Sequence, residues 1–514
     1  MKKNARGQLR RSRPRGARCE PSIRRSGIAA ALASLAVALA GGGCAVGPDF
    51  KPPAAPTAAS VTHEPLPAQT QATPIAGGAA QRFDPAAELS SQWWKSYGSA
   101  ELDRLVADAL ANSPTIAAAQ AALRVAQEQV NAQRGGLYPS VNGSAGATRE
   151  KLNGAAQGFP GFGDFLFTLY NASVSLSYNF DVFGGVRRGI EAQEAGRDAQ
   201  REELQATYQT LAANVVTAAV LEASLRAQIE ATNELVASAQ HEVDLSRKEF
   251  ELGGAARSDV LSAESNLASV QATLPPLQQQ LAAARSQLAV YLGKAPSEYG
   301  EDAFDLASLQ LPVDLPLMVP SEIVRQRPDI RRAEAQLHQA SAQIGVATAN
   351  MLPQIGITGS YGVSNSAFRS LFSSNVFSLG ANISQPLFQG GTLNAKRRAA
   401  VAAYDQSLAQ YRQTVLQAFK NVADSLHALD ADAQTLAAQY RAQTAAADSL
   451  HLIEQRFGMG GANHLELLVA QQQYQRSRVA YVQALAARYQ DTAALFLALG
   501  GDWKHAGEAV SADR

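Results

Sequence analysis

Asp259 and Glu466 stand at the same point of two similar stretches of chain. Gly253-Gly254 precedes Asp259-Val260-Leu261, and Gly460-Gly461 precedes Glu466-Leu467-Leu468 at the same offset. A double glycine supplies the positive φ that ends a helix. Each acid therefore falls in the first turn of a returning helix, where it can offset the N-terminal dipole. Other reactive groups are scattered. The seven histidines (His63, His241, His338, His427, His451, His464 and His505) form no metal-ligand pair with cysteine, and neither His-Glu-x-x-His nor Gly-x-Ser-x-Gly occurs. His464, beside the second double glycine, reads as a surface or gate residue rather than a ligand. Four methionines give little basis for a soft-metal relay. These residues point away from an enzyme and from any resident metal or cofactor.

Cys44 is the other residue with chemistry to offer. Basic residues from Lys2 to Arg25 precede an apolar run, Ile28 to Ala40, and then Gly41-Gly42-Gly43. This is a signal peptide over 1–43. Cys19 lies inside it, so the mature chain keeps only Cys44 and cannot form an internal disulfide in its oxidising compartment. A cysteine directly after a small-residue cleavage site suits acylation of Cys44. A plain leader with an incidental cysteine is the other reading, since Gly41 stands where lipoprotein leaders usually carry leucine. The formal net charge is zero, which gives no footprint for nucleic acid.

The elements that position these residues are written twice. Pro114 to Pro139 and Pro328 to Pro353 bound two stretches of equal length. Asp181-Val182-Phe183-Gly184-Gly185 recurs as Pro386-Leu387-Phe388-Gln389-Gly390-Gly391, and Leu292-Gly293 as Leu499-Gly500. One unit is duplicated in tandem, and each unit is too thin to bury a core alone. No glycine or proline interrupts Arg197–Leu252 or Thr392–Phe457. These stretches predict continuous helices reaching roughly 80–100 Å. Leu204, Leu211, Ala218 and Leu225, with Tyr208 and Val215 between them, repeat as a coiled-coil seam. Pro275-Pro276 should kink the first return helix. Residues 44–92, rich in proline, alanine, threonine and glutamine, read as an extended linker without a core pattern.

Apolar residues alternate with serine, asparagine, threonine or glycine over 172–180, 355–361 and 377–384, and more weakly over 141–148. The connecting loops fall near 149–171 and 362–376. Such strands form either a soluble sheet with one wet face or part of a membrane barrel, apolar outside and polar inside. Four strands cannot close around a lumen, so a barrel would need further copies. No later stretch has the ~18 apolar residues of a spanning helix.

Several segments together resemble the TolC-like outer-membrane factors, in particular the lipoprotein-type (NodT-like) channels of RND efflux systems. They are Cys44-Ala45-Val46-Gly47-Pro48-Asp49-Phe50, Trp93-Trp94, the Phe-Gly-Gly and Phe-Gln-Gly-Gly turns and the two glycine tips. The likeness covers about 44–503. It implies a mixed α and β fold, a long α-helical coiled-coil barrel carrying a transmembrane β-barrel, with four strands per protomer and twelve in a homotrimer. The expected layout is a linker to 92, a first repeat 93–293 with its hairpin about 140–182, and an equatorial connector 294–326. A second repeat 327–500 with its hairpin about 354–388 and a tail 501–514 complete it. The resemblance implies a passive exit duct for drugs and other small molecules, embedded in outer-membrane lipid of a Gram-negative cell. It would be lipid-anchored and extend into the periplasm; a conduit for type I protein secretion is the alternative, and a structural periplasmic coiled-coil spacer a further one. Energy would come from an inner-membrane RND pump. A periplasmic adaptor would contact the tips at Gly253, Gly254, Gly460 and Gly461. Asp259 matches a gating aspartate, Arg456 and Phe457 a basic and aromatic pair, Leu465 an apolar constriction and Glu466 an acidic ring. Val469 stands where many members carry a second aspartate. Asp259 and Glu466 also remain candidates for simple helix-capping acids.

Overall fold

The computed structural model describes residues 45–500, apart from 55–59, 86, 88, 154–162, 301–304 and 319. The expected leader, Cys44 and the tail 501–514 lie outside the described residues. The main helices are α1 (Ala100–Asn112), α2 (Pro114–Arg134), α3 (Gly185–Glu251), α4 (Arg257–Gln271), α5 (Leu274–Tyr291), α6 (Pro320–Gln326), α7 (Pro328–Ala349), α8 (Thr392–Gly458) and α9 (His464–Leu499). The strands are β1 (Arg82–Asp84), β2 (Ser140–Leu152), β3 (Phe165–Phe180), β4 (Asp314–Pro316), β5 (Gln354–Asn365) and β6 (Asn375–Ser384).

α3 and α8 are each 67 residues long, about 100 Å at the helical rise. No proline interrupts either, their glycines (Gly185, Gly189, Gly196 and Gly458) fall near the ends, and each starts immediately after a left-handed glycine, Gly184 or Gly391. The two starts differ. Asp181 Oδ1 accepts from Val186 N (2.8 Å) and its Oδ2 from Arg187 N (3.0 Å), closing the first turn of α3. Pro386 occupies that place in the second repeat and offers no acceptor; no side chain caps α8. Toward the sheet, α3 packs on α2 and α7, and toward the tips on α4, α5 and α9. Leu211, Val215 and Leu225 are buried, while Leu204, Tyr208 and Ala218 are half-buried. The seam broadens because several helices share α3 at different heights. Pro275 and Pro276 lie in the first turn of α5, after a break at Ala272-Thr273. The expected kink is thus a full restart, whereas α9 runs on without one.

An apolar core lies midway along the helices. Trp93, Trp94 and Tyr97 join α1, the middle of α3 and α8, and the end of α9 there. Trp93 stacks on Phe496 at 5.2 Å. Tyr97 Oη donates to Tyr489 O (2.8 Å), and Tyr489 Oη donates to Leu309 O (2.9 Å).

The described part of 45–92 is not a featureless linker. Val46 N donates to Phe183 O (3.0 Å), and Arg188, nearly buried, binds Asp49 at 2.7 Å. Phe50 stacks on His338 at 4.4 Å. Further along, β1 pairs in parallel with β4. Buried Gln81 donates to Pro312 O (3.1 Å) and Thr492 Oγ1 (3.0 Å). The segment is fastened by polar and backbone bonds, so it shows no apolar periodicity. Gly184 belongs to this dock: its φ is +75°, and a Cβ would sit 2.6 Å from Ala45 Cα. Gly184→Val should cost about 1–3 kcal/mol in backbone strain and push Ala45–Asp49 off the body. Faster protease cleavage within 45–50 is the expected result; an unchanged rate would remove the dock from the account.

The larger sheet has order β2-β3-β5-β6, with antiparallel neighbours throughout. Its strands outrun the expected ones. β2 continues to Leu152 and β3 begins at Phe165, so the stretch between them is shorter than the 149–171 loop read from sequence. β5 reaches Asn365 and β6 starts at Asn375. Arg149, Glu150 and Lys151 interrupt the alternation, but the ladder is made by the backbone and continues through them. Lys151 and Asp164 pair across the hairpin at 2.7 Å. Val141, Phe377, Leu379 and Ile383 are exposed, and among the described residues no strand lies beside the outer edges of β2 and β6.

Candidate functional site

The tips are built by backbone bonds. Gly254 N donates to Glu249 O (2.8 Å) and Gly253 N to Phe250 O (3.0 Å). In the second tip Gly461 N donates to Arg456 O (2.7 Å) and Gly460 N to Phe457 O (2.9 Å). Both turns satisfy the last carbonyls of a long helix. Gly253 and Gly460 have φ of +78° and +73° with open space around them, so glycine is there for conformation rather than for close approach.

Asp259 is the third residue of α4, and its Oδ2 accepts from Ala256 N at 3.0 Å. Glu466 is the third residue of α9. Its N–H donates to Asn463 Oδ1 (2.9 Å), and its Oε1 accepts from Asn463 Nδ2 (3.0 Å). Within the chain both acids act as caps. Arg456 donates to Gly461 O (2.7 Å) and lies 3.7 Å from Glu466. The structure therefore brings Arg456 to Glu466, while Asp259 is held by its own turn. A cleft of about 510 Å³ separates the tips, lined among others by Asp259, Phe457, Gly460, His464 and Leu465. Leu252, Met459, Leu465 and Val469 are exposed around it.

His464 does more than a surface residue would. Its Nδ1 lies 3.6 Å from Glu242 and its Nε2 3.3 Å from Glu249, both on α3, and Phe457 packs edge-on at 4.7 Å. Burial pushes the Glu242 carboxyl up, with His464 pulling against it. The ring ties the second tip to the first. Sequence could not show this, because the partners lie more than 200 positions away. Nearby, Arg247 and Glu264 pair at 2.7 Å, joining α3 to α4.

The family described as Outer membrane efflux protein matches residues 105–294 and 319–501. The chain belongs to that family. Among curated relatives, the pyoverdine export outer membrane protein OpmQ of Pseudomonas aeruginosa is 30% identical over 418 residues, covering 80% of this chain and 88% of its own. Outer membrane protein OprJ of the same species is 30% identical over 483 residues, 92% of this chain and 96% of its own. The solved outer-membrane channel OprN superimposes with TM-score 0.78 at 26% identity, covering 90% of this chain and all of its own. The CmeC channel of Campylobacter jejuni gives TM-score 0.80 over 91% of this chain at 18% identity, a likeness of fold alone. This efflux protein thus has the mixed helical and β-barrel architecture of outer-membrane channels, and the outer membrane is its location. The efflux family is one of channel proteins.

Proposed function

We propose that the protein is the trimeric exit duct of a tripartite efflux pump and conducts small molecules passively from periplasm to exterior. It performs no catalysis of its own. The observation that carries this is the two-faced sheet, open at both edges, standing on helices about 100 Å long. Three copies would pair β6 of one with β2 of the next and close a twelve-stranded barrel. Closure removes the bare edges and leaves the apolar face to lipid. Relatives named for antibiotic, toluene and cation efflux support the reading. An RND-type pump supplies energy, and an adaptor protein grips the tips at Gly253, Gly254, Gly460 and Gly461, where exposed Leu252 and Met459 offer apolar contact. Cys44 carries the lipid, as the relative named a probable outer membrane lipoprotein suggests.

Asp259, Arg456, Phe457, Leu465 and Glu466 form the periplasmic gate in this reading. Replacing Asp259 and Arg456 together by alanine frees both tip turns and should raise single-channel conductance in lipid bilayers about two- to fivefold, as an order-of-magnitude expectation for widened access. Unchanged conductance would take these two out of the gate. The reading as a whole is tested by dye accumulation in cells lacking the gene, with and without a plasmid copy. Higher accumulation, reversed by the copy, is expected. No difference, together with loss of a secreted protein, would replace efflux by protein secretion.

A further inference from the structure

The four long strands contain three charged side chains, Arg149, Glu150 and Lys151, all at the hairpin end of β2; β3, β5 and β6 contain none. Alternation along β2 puts Glu150 on the face of Asn142 and Ser144, at the hairpin rim, and Arg149 and Lys151 on the other; below that rim the polar face carries hydroxyls and amides with glycines among them and no charge. Register places Asn142 beside Ser175, Ser175 beside Ser360 and Ser360 beside Ser378, one row across the whole sheet. The hydroxyls touch in pairs: Ser140 with Ser177 (2.8 Å), Ser144 with Ser173 (3.0 Å) and Ser360 with Ser378 (2.8 Å). A Cβ on Gly356 would lie 2.5 Å from Asn179 Oδ1 and 3.1 Å from Asn382 Oδ1, so both amides share that face.

A bilayer forbids charge on the lipid side only. A water-filled lumen tolerates charge, and charged rings are the ordinary way in which pores choose between ions. The uncharged wall is therefore not forced by the membrane. Fixed charges on a low-dielectric wall focus the field and raise the local concentration of one sign. Hydroxyls do not, because each can rotate to donate to an anion or accept from a cation.

The geometry points to a charge-blind outer stage: below the Glu150 rim the sheet lines the lumen with neutral hydroxyls and amides and passes organic anions, cations and zwitterions alike. Discrimination by sign then belongs to the acidic tips. This inference rests on the channel reading above.

The test places a thiol on the wall, Ser175→Cys, with Ser360→Cys as an independent site and Asn153→Cys as an exposed control beyond the wall. Intact cells are treated with an anionic (sulfonatoethyl) or a cationic (trimethylammonioethyl) methanethiosulfonate. Rates are normalised to those with free 2-mercaptoethanol. Normalised rates at either wall site should agree within about threefold and barely respond to salt. A difference above about tenfold that shrinks with salt would show a fixed field and overturn the inference. Reaction at Asn153→Cys with none at either wall site would instead overturn the channel reading, since the polar face would then lie outside a wet lumen.

Discussion

Glu466→Gln channels in planar bilayers will lose most of their preference for cations over anions. Three Glu466 side chains brought to one axis by the proposed symmetry would each face the others' charge, and the narrow mouth focuses their field. A fall in the permeability ratio on the order of tenfold is expected at low salt, shrinking as salt screens the site. The substitution is clean because the amide can keep the bond to Asn463, whose Oδ1 still caps Glu466 N. Structure and charge are thereby separated. Arg456→Ala should push the ratio the other way, because Arg456 lies 3.7 Å from Glu466 and offsets it. An unchanged reversal potential in both variants would leave Glu466 as a helix cap and nothing more.

Arg488→Met will be the most damaging change to stability. Arg488 is 0% exposed. Its Nη2 donates to Thr70 Oγ1 (3.0 Å) and Ala79 O (2.6 Å), fastening the N-terminal segment to α9. Beside it Asp432 of α8 shares a hydrogen bond with Asp491 of α9, and the Asp432 carboxyl is pushed up to about 7, first by burial and then by Asp491, with Arg488 opposing. Burial in turn lowers the Arg488 guanidinium from its ordinary value, and Asp432 and Tyr489 resist this. Removing Arg488 leaves a carboxyl pair without its counter-charge, a loss of about 3–5 kcal/mol. The double variant with Asp432→Asn should recover part of it.

Asp432 also gives a pH dependence of definite sign. A carboxyl whose folded pKa is raised contributes its full stability below its ordinary value, and that contribution is lost as pH rises through the raised one. The wild type should become less heat-resistant from about pH 4 to pH 7, with the steepest loss midway between the ordinary and the raised value and a levelling off above 7. Asp432→Asn should melt several degrees higher than wild type at pH 8 and lose most of the slope. Equal slopes in wild type and variant would exclude Asp432 as the group responsible.

Much of the molecule was legible because its signals are local. The absence of glycine and proline over Arg197–Leu252 and Thr392–Phe457 is enough to give two very long helices. Asp259 and Glu466 announce their helix starts through the double glycine before them. What escaped was polar and distant. Arg488 and Asp432 lie in alanine- and glutamine-rich helices, where a charged residue reads as solvated until its neighbours are known. Gln81 and Thr70 are buried with polar partners, so hydropathy passed over the segment that they anchor. His464 looked like a lone tip residue because Glu242 and Glu249 arrive from the other repeat.

The two unpaired sheet edges have a genetic corollary. In the proposed closed ring of three, every β2 would depend on the β6 of a neighbour. One subunit with a spoiled edge, such as proline introduced at Leu379, would leave a seam that its sound companions cannot mend. In a cell expressing equal amounts of both alleles, roughly one assembly in eight would be free of the defect if subunits mix at random. A recessive outcome would require the defective chain to be discarded before assembly. A dominant one would show that subunits commit to each other before the barrel is finished.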